Sequence, residues 1–139
     1  MLIHASCVAI DDVAVLLAGA AGAGKSDLAL RLIDAGAALV ADDQTLIARD
    51  GDALLASAPP SIAGLIEVRH VGLLRVPFVA SAKVGLYLDL APPDEMIERL
   101  PDEDFIALEN MRVRRLRLPA FAASTPAKIC AVLKYAAVK

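Results

Sequence analysis

Hydrophobic and polar positions follow two periods along this chain, one of two residues and one of about 3.6. From Leu2 to Ile10, every second residue (Leu2, His4, Ser6, Val8 and Ile10) falls on one side of an extended segment, and Asp11-Asp12 then makes a turn. Val13 to Ala18 is an unbroken apolar run ended by glycine, the pattern of a strand buried on both faces. At Ser26 the period changes. Up to Ala35 the spacing predicts a helix with Leu28, Leu32 and Ala35 on one face, and Gly36 is placed to end it in a left-handed conformation. Ala38 to Ala41 returns as a short buried strand.

After Asp42-Asp43 the pattern becomes that of an antiparallel hairpin: Thr45 to Arg49, the turn Asp50-Gly51-Asp52, then Ala53 to Ser57, stopped by Pro59-Pro60. Val84 to Leu90 and Arg112 to Leu118 are further strands, with Pro92-Pro93 and Pro119 as stops. Near the end, Pro126 follows Ser124-Thr125 as a first-turn proline behind a cap, and Ile129, Val132, Leu133 and Ala136 form a helical stripe. There is no internal repeat or linker. The expectation is one α/β domain over residues 1–139, with a mixed sheet and a helix near each end.

Composition narrows the function. With 58% hydrophobic and 22% charged residues, the chain can bury enough surface to order itself. Alanine supplies 28 residues against 3 Phe, 2 Tyr and no Trp, so the core must pack small and branched side chains closely. The 14 Lys+Arg and 17 Asp+Glu leave a net charge of −3, which argues against nucleic acid as a partner. Arg112, Arg114, Arg115 and Arg117 form the one basic cluster, expected as a solvated strand face, with a docking patch for an acidic partner as the alternative. The longest nearly uncharged run, Val13 to Gly24, is too short and glycine-rich to span a bilayer, and no basic segment precedes an apolar one at the start. A cytoplasmic protein without membrane contact is expected. Cys7 and Cys130 lack the spacing of a zinc or redox pair and are expected as two buried free thiols.

The chemistry lies between the first buried strand and the first helix. Gly19-Ala20-Ala21-Gly22-Ala23-Gly24-Lys25-Ser26 satisfies G-x-x-x-x-G-K-[ST] with the strand and helix that such a phosphate loop requires. Glycines let backbone N–H groups turn inward around phosphate oxygens, and the helix directs its positive end to the same place. Lys25 then reaches the β- and γ-phosphates, and the Ser26 hydroxyl is a ligand for Mg²⁺. Asp42 and Asp43 end the strand that follows the loop's helix, where strand ends line the ligand crevice. Adjacent carboxylates point to opposite sides, so one is available to hold the metal or the loop and the other to face an acceptor; a turn residue before the hairpin is the alternative for Asp43.

These segments resemble a known family. Gly19 to Ser26, Leu39-Val40-Ala41-Asp42-Asp43 and Glu67-Val68-Arg69 are similar, in order and spacing, to the C-terminal catalytic domain of HPr kinase/phosphorylase. The resemblance implies the nucleotide-binding fold shared with PEP carboxykinase, and ATP and Mg²⁺ as cofactors. It implies phosphorylation of a seryl residue of HPr, the phosphocarrier of the sugar phosphotransferase system, with phosphorolysis as the reverse activity, and assembly as a homo-hexamer. By the resemblance, the family's separate N-terminal domain is expected to be missing, as in the short forms of alphaproteobacteria. By the same resemblance, His4 is the histidine before the phosphate loop, where it would orient a catalytic carboxylate, and Lys25 is the loop lysine. Asp43 is the proton acceptor with Asp42 its neighbour, Ser26 and Glu67 are magnesium ligands, and Arg99 in Glu98-Arg99-Leu100 is an arginine that spreads transition-state charge.

Three departures qualify the resemblance. His70 stands where the family has glycine, the stretch between Glu67 and Arg99 is shortened, and Ala120-Phe121-Ala122-Ala123-Ser124-Thr125 replaces a proline-glycine-arginine-asparagine segment tied to dephosphorylation. The expectation is a kinase with weak or absent phosphorylase activity. Its alternatives are a small-molecule kinase on a P-loop scaffold and a nucleotide-binding regulatory module without catalysis.

Overall fold

The unbroken apolar run Val13–Ala18 forms a strand at the centre of the molecule (β3), and the rest of the fold is arranged to cover both of its faces. The computed structural model describes residues 1–138. In chain order the remaining strands are β1 (Leu2–Ile3), β2 (Ala5–Ile10), β4 (Ala38–Ala41), β5 (Thr45–Asp50), β6 (Ala53–Ser57), β7 (Leu65–Val68), β8 (Gly72–Arg75), β9 (Ala82–Ala91), β10 (Asp104–Leu108) and β11 (Met111–Pro119). The helices are α1 (Lys25–Asp34) and α2 (Thr125–Lys134), with one 3₁₀ turn at Pro60–Ile62. The α/β class and the mixed sheet are as the sequence predicts.

Nine strands form one sheet in the order β1-β5-β6-β9-β3-β2-β4, with β11 beside β9 and β10 beside β11. β3 runs parallel to β9 and antiparallel to β2, which lies between β3 and β4. The connection β3-α1-β4 therefore skips one strand. The C-terminal ends of β3 and β4 and the N-terminal end of β2 meet at one edge, where Ala5 pairs with Ala18 and Cys7 with Ala41. That edge carries the phosphate loop.

Two cores lie on opposite sides of β3. Val15 and Leu17 face a layer containing Leu28 and Leu32 of α1, Ile66 of β7 and Ile129 of α2. Leu16 and Ala14 face Cys7, Val40, Ile47, Leu54 and Val113, where the sheet curls over itself. Burial pushes the Cys7 thiol well above its usual pKa. α1 ends as predicted: Gly36 takes φ +113°, and Ala37 N–H reaches back to the Leu32 carbonyl at 3.0 Å.

Several expectations are corrected. Leu2 to Ile10 is two strands, because Leu2 pairs with Leu46 on β5 whereas Ala5 onward pairs with β3 and β4. The chain bends at His4, and alternation fails because Ala5–Ala9 are buried on both faces. Ala35 is exposed just past α1, and Ala136 lies beyond α2. Ser124 makes no side-chain cap, and the Thr125 hydroxyl instead donates to the Pro119 carbonyl at 2.5 Å. Cys130 is exposed, so only Cys7 is a buried thiol. β7, β8 and β10 had no signal in the hydrophobic pattern. β8 is exposed along its whole length, and β10 is paired only at the rim of the sheet.

Candidate active site

The loop from Gly19 to Ser26 folds as a phosphate cradle because two of its glycines take backbone conformations that side chains resist. Gly22 has φ +82° and Gly24 φ +102°, and α1 starts directly after Gly24. A Cβ at Gly24 would fall 2.7 Å from Cζ of Phe121, so the position also needs glycine for space. Lys25 is buried and donates to the Gly19 carbonyl at 2.9 Å, which holds its ammonium over the loop. The same Nζ lies 3.9 Å from the Asp43 carboxylate.

Asp42 and Asp43 divide their roles as their opposed directions require. Asp42 is buried and is held by three donors: Ser26 Oγ at 2.6 Å and Ser6 Oγ at 2.9 Å on Oδ1, and Glu67 N–H at 3.0 Å on Oδ2. It therefore ties together β2, α1, β4 and β7, and it holds the loop rather than facing the crevice. Asp43 has φ +66°, and its N–H donates to Ser6 Oγ at 3.0 Å. This turns its carboxylate, 70% exposed, toward Lys25.

A cavity of about 500 Å³ opens over the N-terminus of α1, within the range of small-molecule sites. Lys25, Ser26, Asp43 and Glu67 line it together, with Arg69, His70 and Phe121 on its rim. His70 sits in the turn between β7 and β8 with φ +69°, closed by Val71 N–H on the Val68 carbonyl at 3.0 Å. The backbone thus keeps a conformation suited to glycine, and the histidine side chain borders the cavity.

The residues fit a magnesium ion bound with a nucleotide. Ser26 donates its proton to Asp42, which leaves its oxygen lone pairs free for a cation, and Glu67 supplies a carboxylate in the same cavity. Among the described residues no three His, Cys, Asp or Glu side chains cluster as a metal cage. Mg²⁺ needs none, since it takes much of its shell from phosphate oxygens and water.

Two predicted site residues are not brought to the cavity. His4 is exposed at the bend before β2, with no hydrogen bond among the described residues, and the carboxylate-orienting contact expected of it belongs to Ser6. Arg99 is exposed in the irregular segment after β9, away from the cavity walls. Ser6 and Phe121 went unrecognised in the sequence. Pairing Ser6 with the end of β3 would have placed Ser6 at the site edge, whereas nothing near Phe121 signals its contact with the loop.

Three of the four arginines of the basic cluster pair with the chain's own acids. Arg115 pairs with Asp89 at 2.8 Å and Asp104 at 3.7 Å, Arg117 with Asp89 at 3.3 Å and with Glu95, and Arg114 with Glu103 at 3.5 Å. Arg112 lies 3.7 Å over the Phe105 ring. The hydrogen bond from Arg117 holds the Glu95 carboxyl below its ordinary pKa. The cluster is thus a solvated face of β11, as expected, laced with ion pairs that engage three of its four arginines.

Known proteins resemble this chain in sequence and in fold. The HPr Serine kinase C-terminal domain family matches residues 1–138. The HPr kinase/phosphorylase of Caldanaerobacter subterraneus subsp. tengcongensis is 37% identical over 128 residues, which is 84% of this chain and 42% of the relative. That of Clostridium novyi (strain NT) is 32% identical over 126 residues, 84% of this chain and 41% of the relative. The chain thus spans about two fifths of the length of these curated relatives. The HPr(Ser) kinase/phosphatase structure from Coxiella burnetii superposes with a TM-score of 0.84 at 27% identity, covering 96% of this chain and 88% of that one. A phosphate loop whose serine is tied to the first of two aspartates, on a fold that superposes so fully, agrees with the family match: the chain belongs to the HPr serine kinase C-terminal domain family.

Proposed function

We propose that this chain is an ATP- and Mg²⁺-dependent protein serine kinase acting on HPr or a close paralogue. The observation that carries the reading is the Asp43 carboxylate, exposed in the cavity 3.9 Å from the phosphate-loop lysine. In the reaction the acceptor serine oxygen bonds to the γ-phosphorus, the bond to the ADP oxygen breaks, and Asp43 takes the hydroxyl proton. Lys25 offsets charge on the transferring group, while the loop N–H groups and the α1 dipole hold the phosphates. Ser26 and Glu67 would hold Mg²⁺, which when bound neutralises phosphate charge. Ser6 and Asp42 position Asp43 and Ser26. His4 and Arg99 have no role in this scheme.

The names of the relatives support HPr as the acceptor. The absence of any arginine from Ala120 to Thr125 supports weak or absent phosphorolysis. No helix among the described residues is long and apolar enough to cross a membrane, which is in keeping with the proposed cytoplasmic site of action. A homo-hexamer is proposed from the family resemblance and is checked by light scattering of the purified chain.

The test incubates purified protein with ATP, Mg²⁺ and HPr and examines HPr by mass spectrometry. One added phosphate on serine is expected, and unmodified HPr under conditions where ATP binds would overturn the assignment. Pyrophosphate release from phosphoserine-HPr and inorganic phosphate, at a rate near the forward one, would refute the loss of phosphorylase activity.

A further inference from the structure

We propose that Phe121 is the surface on which the base of the bound nucleotide stacks, so that nucleoside triphosphates are preferred over inorganic polyphosphate at this site. The proposal rests on the reading that the phosphate loop binds a nucleoside triphosphate. Phe121 is 56% exposed, and of the exposed large apolar side chains among the described residues it is the one that lines the cavity directly beside the loop. It touches the loop closely: Cζ and Cε1 lie 2.7 and 3.0 Å from where a Cβ on Gly24 would stand.

The ring is held there. Arg31 of α1 forks onto the carbonyls on either side of it, Ala120 and Ala122, with the Ala122 contact at 3.4 Å. Thr125 ties the same turn twice, through its hydroxyl to the Pro119 carbonyl and through its N–H to the Ala122 carbonyl at 3.1 Å. Neighbouring Ala120 is buried, so the turn is anchored in the core while the ring projects from it.

Topology decides which end of the ligand meets the ring. Asp43 follows β4, which lies on one side of β3, beyond β2, whereas Phe121 follows β11, which lies on the other side of β3, beyond β9. The terminal phosphate must face the carboxylate that takes the acceptor proton, so the opposite end of the ligand, its heterocyclic base, extends toward Phe121. Leu30 of α1, half-buried in the same cavity wall, adds a second apolar contact there. An aromatic ring accepts any base by its π-face, which makes the platform one of affinity rather than of hydrogen-bonded base choice.

The chain has no Trp, so Phe121→Trp introduces a single fluorophore at the point of contact. Wild type, Phe121→Ala and Phe121→Trp are titrated calorimetrically, with Mg²⁺, against ATP and against inorganic tripolyphosphate, which has no base. Phe121→Ala is expected to weaken ATP about tenfold or more and tripolyphosphate by less than about twofold. Phe121→Trp is expected to keep ATP affinity, with its fluorescence quenched by ATP and not by tripolyphosphate. Equal weakening of both ligands would show that the ring only shapes the loop and would overturn the proposal, as would ATP affinity unchanged in Phe121→Ala. Wild type that binds neither ligand would overturn the nucleotide reading itself. Wild type that binds both equally well would overturn the base platform alone.

Discussion

Residues 5–43 and the β7–β8 hairpin both end at the same cavity, yet they are held there by different means. The first region is fixed by burial: Cys7, Val8, Leu16, Leu17, Leu28 and Leu39 are fully inaccessible, and the polar atoms at its edge, on Ser6, Ser26 and Asp42, satisfy one another. The hairpin packs inward mainly through Ile66, is bonded to the site by the Glu67 N–H, and leaves Val71, Leu73 and all of β8 exposed. The groups proposed to hold phosphate and proton are thus on the part that cannot move cheaply. Glu67, one of the two metal-ligand candidates, and the cavity's other rim are on a part that can.

The sharpest break of this contrast is chemical. Asp43→Asn should lower turnover by about 10²–10⁴-fold with nucleotide affinity nearly unchanged, measured as kcat beside calorimetric ATP binding, because the lost proton acceptor acts in the transition state. Wild-type turnover in that variant would remove Asp43 from its role. Stability gives the next largest difference. Leu16→Ala should cost about 2–5 kcal/mol in urea unfolding, whereas Leu73→Ala, 66% exposed on the hairpin, should stay within about 0.5 kcal/mol. Comparable losses would mean that the hairpin is as firmly built as the core.

Ser6→Ala tests whether the buried polar edge positions the site. It removes one donor from Asp42 and the acceptor of the Asp43 N–H, with an expected stability cost of about 1–3 kcal/mol and a fall in kcat larger than any change in nucleotide affinity. Ser6→Thr, which keeps the hydroxyl, should restore much of kcat. The smallest effect belongs to the exposed segment after β9. Glu95 has its pKa lowered by Arg117, so the pair's contribution is present above the ordinary carboxylate value and is lost as pH falls through the depressed one. Glu95→Gln should therefore flatten the acid limb of a melting-temperature profile slightly, and a change at neutral pH as large as that of Ser6→Ala would contradict the ranking.

Legibility in the sequence followed the same division. Val13–Ala18, the phosphate loop, α1 and Ala38–Ala41 declare themselves because burial on both faces, glycine spacing and helical period are local properties. β7, β8 and β10 do not: each is a short hairpin strand held by one neighbour, β7 by β8 and β10 by β11, and none is buried on both faces or alternates cleanly enough to mark it. In the site, Lys25, Ser26, Asp43 and Glu67 were legible from motif and resemblance, and the structure gathers them. His4 and Ser6 exchanged places: both lie at the start of the same extended run, but the bend at His4 breaks the alternation and sends only Ser6 inward. Arg99 could not be placed from spacing, because the segment that carries it has no regular structure.

The parallel pairing of β3 with β9 joins Val13 to Lys83, and Phe121 comes to rest on Gly24 from still further along the chain. During synthesis the phosphate loop therefore emerges from the ribosome long before its supporting strand and its aromatic neighbour exist. Contacts of such wide sequence separation form slowly. The nascent protein should thus acquire its grip on nucleotide only after β9 and Phe121 have both emerged, as a nearly all-or-none event well after the loop itself.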